Sequence, residues 1–354
     1  MPPDGGSAPS RHGQARAGGA RRIPEDRKRP DRRNDRISRQ RDHPGDAGRD
    51  GRPVTRPLQF HAIDVFTSSR LSGSPLAVVD AAGELSASQM RAIASEFGFP
   101  VTAFLRASRD PVNSAGLRVF TRSGEASFSA EAVIGVAVLL AETRAGEVLS
   151  RRGVVIALEL GGEVYSCEVI RNSAGVSYAQ FTLRRLPSRE PRPLDPLVVA
   201  AALGLAAADI GFDWHAPCLC SLFSRFAFIP VGGRRALEKA CPMRQSWPLV
   251  FGRDAGVCLY TADALAPESA LHIRSFRVEE GEDCANGEAL AAFAAAACAF
   301  ESPQDGEHQM FIEQGHNVGR ASRLTLGLGV QDGRLAEIRL GGQATPTMRG
   351  ELKL

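Results

Sequence analysis

RSFRVEEGEDCANGEALAAFAAAACAF, Arg274–Phe300, passes from a strand-like alternation through an acidic turn into a helix that is apolar nearly all round. The same order occurs earlier, in RVFTRSGEASFSAEAVIGVAVLLAE at Arg118–Glu142. Each copy has Arg-x-Phe on its strand (Arg118 and Phe120, Arg274 and Phe276), an acid in the turn (Glu125, Glu282) and small residues opening the helix. A helix apolar on every side is one enclosed by protein, and neither apolar run reaches the roughly 18 residues of a membrane span. Two copies of one unit predict two similar halves, each wrapping a sheet around its own central helix. The two helix N-termini then face a shared cleft, where unpaired N–H groups and the positive dipole ends form a natural anion site.

Further pieces stand in a fixed order around these units: FHAIDVF at Phe60–Phe66, GSP at Gly73–Pro75, AVV at Ala77–Val79, FT at Phe120–Thr121, EDCANGEA at Glu282–Ala289 and QGHNVGRAS at Gln314–Ser322. Together with Gly341–Gly342 and Gly350, they resemble the phenazine-biosynthesis (PhzF-like) isomerase family, which implies the diaminopimelate epimerase-like α+β fold: two pseudo-symmetric halves, each a curled, mostly antiparallel sheet around a central helix. The resemblance spans most of Phe60 to Leu352. It implies a cofactor-independent isomerase that moves a proton on a small metabolite, and a homodimer.

Composition bounds the rest. The chain has 354 residues, 43% of them hydrophobic, enough for two cores. Its net charge of +3 conceals a division: Met1–Pro57 carries 15 Arg and Lys against 8 Asp and Glu, leaving 28 against 32 in the remainder. The folded part is mildly acidic, so no nucleic-acid role is implied for it. Seven cysteines, an odd number at irregular spacing, suggest reduced thiols and a cytoplasmic protein, with no apolar leader or membrane segment.

Met1–Pro57 has no aromatic residue and no hydrophobic period, and reads as a disordered basic tail. Translation from upstream of the true start, with Val54 as an alternative start, is the favoured explanation. A tail touching nucleic acid or acidic lipid and a targeting peptide are the others. Residues 58–186 form the first half, 187–196 with four prolines a linker, 197–344 the second half, and 345–354 a final strand returning to the first. Separate strands are expected at 322–330, 336–340 and 345–352.

The resemblance also directs attention to the chemistry. The family's acid/base Glu stands in a Ser-Glu-Thr-x-Phe segment that here is FPVTAFL, Phe99–Leu105, with Val101 at the Glu position. The family His at the first central helix is Glu131, and the Ser near the second is Glu288. Asp283 alone keeps its family identity. Asp283 and Glu131 are therefore candidate catalytic carboxylates that would have separated pKa values, and Cys284 is a third candidate by analogy with the acid/base cysteines of epimerases of this fold. Ser129, at the first helix start, would be the counterpart of Cys284. Ser129, Gly287, Glu288 and Gly73 are candidate substrate-binding residues. Plainer readings accompany each: a dipole-complementing Glu131, a buried structural Cys284 and a non-catalytic small-molecule-binding protein. The two added glutamates predict a cleft that favours amine-bearing or neutral ligands over simple anions. No cofactor is implied. Trp214-His215 with Cys218-x-Cys220 lacks a second ligand pair for a metal, and His61, His272 and Arg320 read as structural groups.

Overall fold

The computed structural model describes residues 57–80, 85–278 and 280–354, so most of the expected tail, Met1–Arg56, lies outside the described residues. The first half begins with β1 (Leu58–Val65), antiparallel to β2 (Ser74–Val79). Helix α1 (Ala87–Phe97) carries the chain to β3 (Val101–Arg106), which lies parallel to β2. Its start is fixed by a capping box between Ser86 and Gln89, and its end by Gly98 in the left-handed conformation. Strand β4 (Ala115–Thr121) returns antiparallel to β3 and turns into the short β5 (Gly124–Ala126) before α2 (Ala130–Leu149). Strands β6 (Val154–Leu160), β7 (Glu163–Arg171) and β8 (Ser177–Leu183) complete a meander.

The second half repeats this plan. After β9 (Ser188–Arg189) and α3 (Pro196–Leu203) come β10 (Cys218–Ser221) and β11 (Arg225–Pro230). Helices α4 (Arg234–Lys239) and α5 (Trp247–Val250) lead to β12 (Gly256–Thr261), parallel to β11. Strand β13 (Leu271–Arg277), antiparallel to β12, turns into β14 (Gly281–Asp283) and then α6 (Gly287–Glu301). Strands β15 (Gly306–Gln314), β16 (Ser322–Gln331) and β17 (Arg334–Leu352) close the chain.

The turns that sequence alone marked as acidic are thus tight hairpins. The expected strands at 336–340 and 345–352 are one strand, β17, which pairs first with β16 and β8 and then with β1. Its continuity has a physical reason: Gly341 and Gly342 leave space for Tyr178 and Phe66, which lie where side chains would stand. Ser188–Arg189, within the proline-rich 187–196 stretch, pairs with β10.

Helices α2 and α6 run through the centre of the two halves, and their enclosure explains their all-round apolarity. Every residue from Ala130 to Ala141 is buried, as are Phe293 and most alanines of α6. Among the described residues no helix is long and apolar enough to cross a membrane. The seven cysteines are all free.

Candidate active site at the two helix starts

The repeated sequence unit makes the same contacts twice. Arg118 donates from Nε and Nη2 to both Glu125 oxygens, each at 2.7 Å, across the β4–β5 hairpin. Arg274 grips Glu282 in the same two-pronged way, at 2.9 and 2.7 Å. Each guanidinium lies over the next Phe of its own strand, Phe120 or Phe276. These forks hold the hairpins that deliver the chain to α2 and α6.

Each helix is capped by a side chain: Ser129 Oγ accepts from Ala132 N–H at 3.1 Å, and Asn286 Oδ1 from Ala289 N–H at 2.8 Å. This corrects one expectation. The counterpart of Ser129 is Asn286, and Cys284 lies two residues before the cap rather than at the helix start. The counterpart of Glu131 is Glu288, since each stands two residues after its cap.

The helix starts border a small cleft of about 60 Å³. Its apolar side includes Pro100, Val101, Phe128 and Ala285; its polar side includes Glu131, Arg277, Glu280, Asp283 and Glu288. Ser74, Ser129, Thr121 and Asn286 complete the lining. Asp283, Glu131, Ser129 and Glu288 are therefore brought together, with Val101 facing them.

Glu131 is buried, and its two oxygens are engaged. Oε1 accepts from the Gly287 N–H at 2.9 Å and Oε2 from Ser129 Oγ–H at 2.9 Å. Burial pushes its pKa up, opposed by these donors and by its own N–H. The anion site expected at the α6 N-terminus is consequently occupied by a carboxyl group of the protein itself. Gly287 serves this contact, because its Cα comes so close to Ala130 that a Cβ would collide with the Ala130 side chain.

Asp283 stands at the end of β14 with one oxygen, Oδ2, accepting from Asn286 Nδ2 at 2.7 Å. Burial raises its pKa to about 7, against the lowering influence of Asn286 and Arg277 and with further raising by Glu280 and Glu131. Gln314 fixes this turn: its Nε2 donates to Asp283 O at 3.0 Å, and its Oε1 accepts from Asn286 N–H at 3.2 Å. Glu288 binds Arg277 Nη2 at 2.7 Å and Ser224 Oγ at 2.5 Å. Neither glutamate is thus an unpaired charge waiting for an amine, which corrects the simplest form of the sequence expectation. The acids with fewer protein donors are Asp283 and Glu280, the latter bound by Ser123.

Cys284 is buried outside the cleft lining, and burial raises its thiol pKa despite a contact with Ser74. Gly73 is also outside the lining. It has φ +65°, its N–H donates to Ala321 O at 2.9 Å, and its carbonyl accepts from Arg320 Nε at 2.8 Å. Its neighbour Ser74 reaches the cleft instead. Arg320 also pairs with Asp64 at 2.5 Å, tying the 314–322 loop to β1.

Residues that sequence reasoning passed over are Ser74, Arg277, Glu280 and Asn286. Ser74 lay within the quoted GSP motif, and Asn286 carries an N-cap signature ahead of an alanine-rich helix. Arg277 and Glu280 had no local signal, because their positions depend on how the hairpin crosses the cleft. Among the described residues no cluster of three His, Cys, Asp or Glu side chains is arranged to hold a metal. His215 instead bonds Tyr260 at 3.0 Å and Glu301 at 2.9 Å.

Comparison with known proteins agrees with this architecture. An uncharacterized isomerase of Mesorhizobium japonicum is 38% identical over 296 residues, covering 82% of this chain and 96% of the relative. A phenazine biosynthesis protein of the PhzF family from Bacillus anthracis superposes with a TM-score of 0.74 at 20% identity, covering 84% of this chain and all of that one. A predicted epimerase from Pseudomonas aeruginosa gives a TM-score of 0.68 at 26% identity, over 83% and 99% of the two chains. Residues 63–350 match the family model for phenazine biosynthesis-like proteins, and the chain belongs to that PhzC-PhzF family, on the α+β fold that it shares with the PhzF-family and epimerase structures.

Proposed function

We propose that the cleft shifts a proton between carbons of a small amine-bearing metabolite without a cofactor, with Asp283 as the acid/base group. The observation that carries this is the Asp283 carboxyl, lining the cleft beside Glu131 and Arg277 with a pKa near 7. Such a group exchanges protons readily at neutral pH. In its ionised form Asp283 takes a proton from a carbon next to a double bond. The C–H electron pair becomes the new C=C, and the old double bond collects the proton at its far carbon. Glu131, raised in pKa and held by Gly287 and Ser129, fixes the two helix starts against each other. The amine is received by Glu280, which leaves Asp283 free to exchange the proton, and Val101, Pro100 and Phe128 cover the ligand's apolar portion.

Incubation of the protein with a metabolite pool in D₂O, read by mass spectrometry, tests this reading. Deuterium enters specific metabolites with the wild type and not with Asp283→Asn. Equal labelling by both proteins would sink it.

A second reading is favoured by Val101, a buried, proton-free side chain where the family resemblance places the principal base. The protein then binds its small ligand without turnover, and a pool metabolite raises the melting temperature with no deuterium uptake. Cys284 chemistry is less well supported, since the thiol is enclosed and its ionisation opposed. A homodimer remains the expected assembly on family grounds, and light scattering measures it.

A further inference from the structure

Beside their hairpins the two copies of the duplicated unit differ. In each half the parallel neighbour of the Arg-x-Phe strand pairs with it briefly and then diverges: β4 meets β6 at Ala115 and Gly116, and β13 meets β15 at Leu271–Ile273. A wedge opens between the hairpin and the turn that follows the neighbour strand. That turn presses on the connector to the central helix in both halves, because a Cβ on Gly161 would collide with Ser127 O and one on Gly315 with Cys284 O.

In the second half the neighbourhood is filled. Arg274 is buried and its Nη1 donates to the carbonyls of Leu237, Glu238 and Ala240 at 2.7, 3.1 and 2.9 Å. The turn after Gly315 forms a 3-10 turn, His316–Val318, whose His316 ring packs against His272. In the first half a groove of about 460 Å³ remains, lined by Arg106, Arg109, Arg118, Glu125, Gly161 and Gly162 among others.

Three arginines, Arg106 at the end of β3, Arg109 in the loop just after it and Arg118 on β4, thus line one groove with a single carboxylate, Glu125, itself bound by Arg118 and held below its usual pKa. The loop that carries Arg109 is fixed from beneath: Glu159 accepts from the N–H groups of Arg109 and Asp110 at 2.9 and 3.0 Å and from Asn113 Nδ2 at 2.9 Å. Glu159 and the exposed Asp110 are the other acids nearby, and Glu159 spends its charge on those donors. Glycines at the 161–162 turn leave the mouth free of side chains. The Arg118 fork is spent on Glu125, so Arg106, whose buried Nε has no hydrogen-bond partner among the described residues, and Arg109 are the donors turned to a ligand. Two cations with more donors than one carboxylate can accept suit a phosphate dianion with its three acceptor oxygens.

We propose that this groove is a binding site for a small phosphate-bearing metabolite, distinct from the helix-start cleft. It lies beside Ala126 and Ser127, on the connector that leads to Ser129, so its occupant would rest on the segment that positions Glu131. The proposal does not depend on the chemistry assigned to Asp283.

Calorimetric titration of the full chain with inorganic phosphate and with glycerol 3-phosphate, in a low-salt buffer free of other polyanions, tests it. Both bind with one site, and Arg106→Gln/Arg109→Gln weakens them by roughly tenfold or more. Because Arg106 is half-buried, Arg109→Glu alone, at an exposed position, provides a variant that leaves packing untouched and weakens binding in the same direction. The exposed pair Arg151→Gln/Arg152→Gln, after α2, is the control and leaves binding unchanged. Absence of binding up to roughly 20 mM phosphate overturns the proposal. Equal weakening by the control pair also overturns it, since that outcome means diffuse charge attraction rather than a site.

Discussion

Glu131 Oε1 accepts the backbone N–H of Gly287 at 2.9 Å, so a carboxyl from one central helix occupies the N-terminus of the other. The contact joins the two halves where the family resemblance places a histidine. Glu131→Ala leaves the Gly287 N–H and Ser129 hydroxyl without this partner in a buried place, and should lower stability by about 1–3 kcal/mol. Glu131→Gln preserves both contacts. Its stability should match or exceed that of the wild type at neutral pH and fall less as pH rises. The sign follows from burial: a carboxyl whose folded pKa is raised contributes its stability below the unfolded pKa and loses it as pH climbs. Urea unfolding of the three proteins at pH 5 and pH 8 measures both effects.

Asp283 should produce a pH signature of its own. With a folded pKa of about 7 against an ordinary 3.8, it disfavours the folded state progressively between those values as pH rises. Asp283→Asn should therefore be more stable than wild type at pH 8, by about 1–4 kcal/mol, and hardly different at pH 4. Any proton exchange on a metabolite should rise through a midpoint near pH 7 in the wild type and drop by about 10²–10⁴ in the variant. Stability gained together with exchange lost separates a functional carboxyl from a merely structural one, whose removal would cost stability.

Much of this arrangement could be read from the chain because it was written twice. Arg118 with Glu125 and Arg274 with Glu282 keep the same order and nearly the same spacing, and apolarity on every side marks α2 and α6 as enclosed. The partner of each acid could not be read this way. Glu131 and Glu288 look alike in sequence, yet one meets Gly287 across the cleft and the other Arg277 and Ser224, and those choices depend on the approach of the two helix starts. Cys284 looks like a helix-start residue in the sequence because the true counterpart of Ser129, the Asn286 cap, lies two residues further on. The union of the last two expected strands into β17 was hidden for a related reason, since its glycines accommodate side chains from β8 and the segment after β1 rather than marking a turn.

His272 gives a prediction at acid pH. It is buried on β13, neither ring nitrogen has a hydrogen-bond partner among the described residues, and its ring packs on His316 at 5.1 Å between centroids. Burial lowers its pKa to about 4, assisted by His316, Arg234 and Arg274 and opposed by Glu313. Between pH 6.5 and 4 the unfolded chain takes up a proton that the folded chain refuses, so stability should fall over that window. His272→Leu should flatten this limb and gain on the order of 1 kcal/mol at pH 5, since two unpaired buried polar atoms disappear. A steeper acid limb in the variant would count against this assignment.

The last prediction concerns what the cleft accepts. Arg277 is its cation, and Glu288 already binds it at 2.7 Å while Ser224 holds the other carboxylate oxygen. A ligand carboxylate must therefore compete with Glu288 for Arg277, and it finds the Gly287 N–H taken by Glu131 as well. A ligand amine meets Glu280, held by Ser123, without displacing an ion pair among the described residues. At an effective dielectric of about 20, like charges about 4 Å apart repel by roughly 4 kcal/mol, more than a helix dipole returns. Amine ligands should accordingly bind more tightly than matched carboxylates in calorimetric titration. Glu288→Ser should release Arg277 and improve carboxylate binding by about tenfold, whereas Arg277→Gln should abolish that improvement in the double variant. If the wild type binds carboxylates tightly and Glu288→Ser changes nothing, the Arg277–Glu288 pair does not govern selection and the amine preference is wrong.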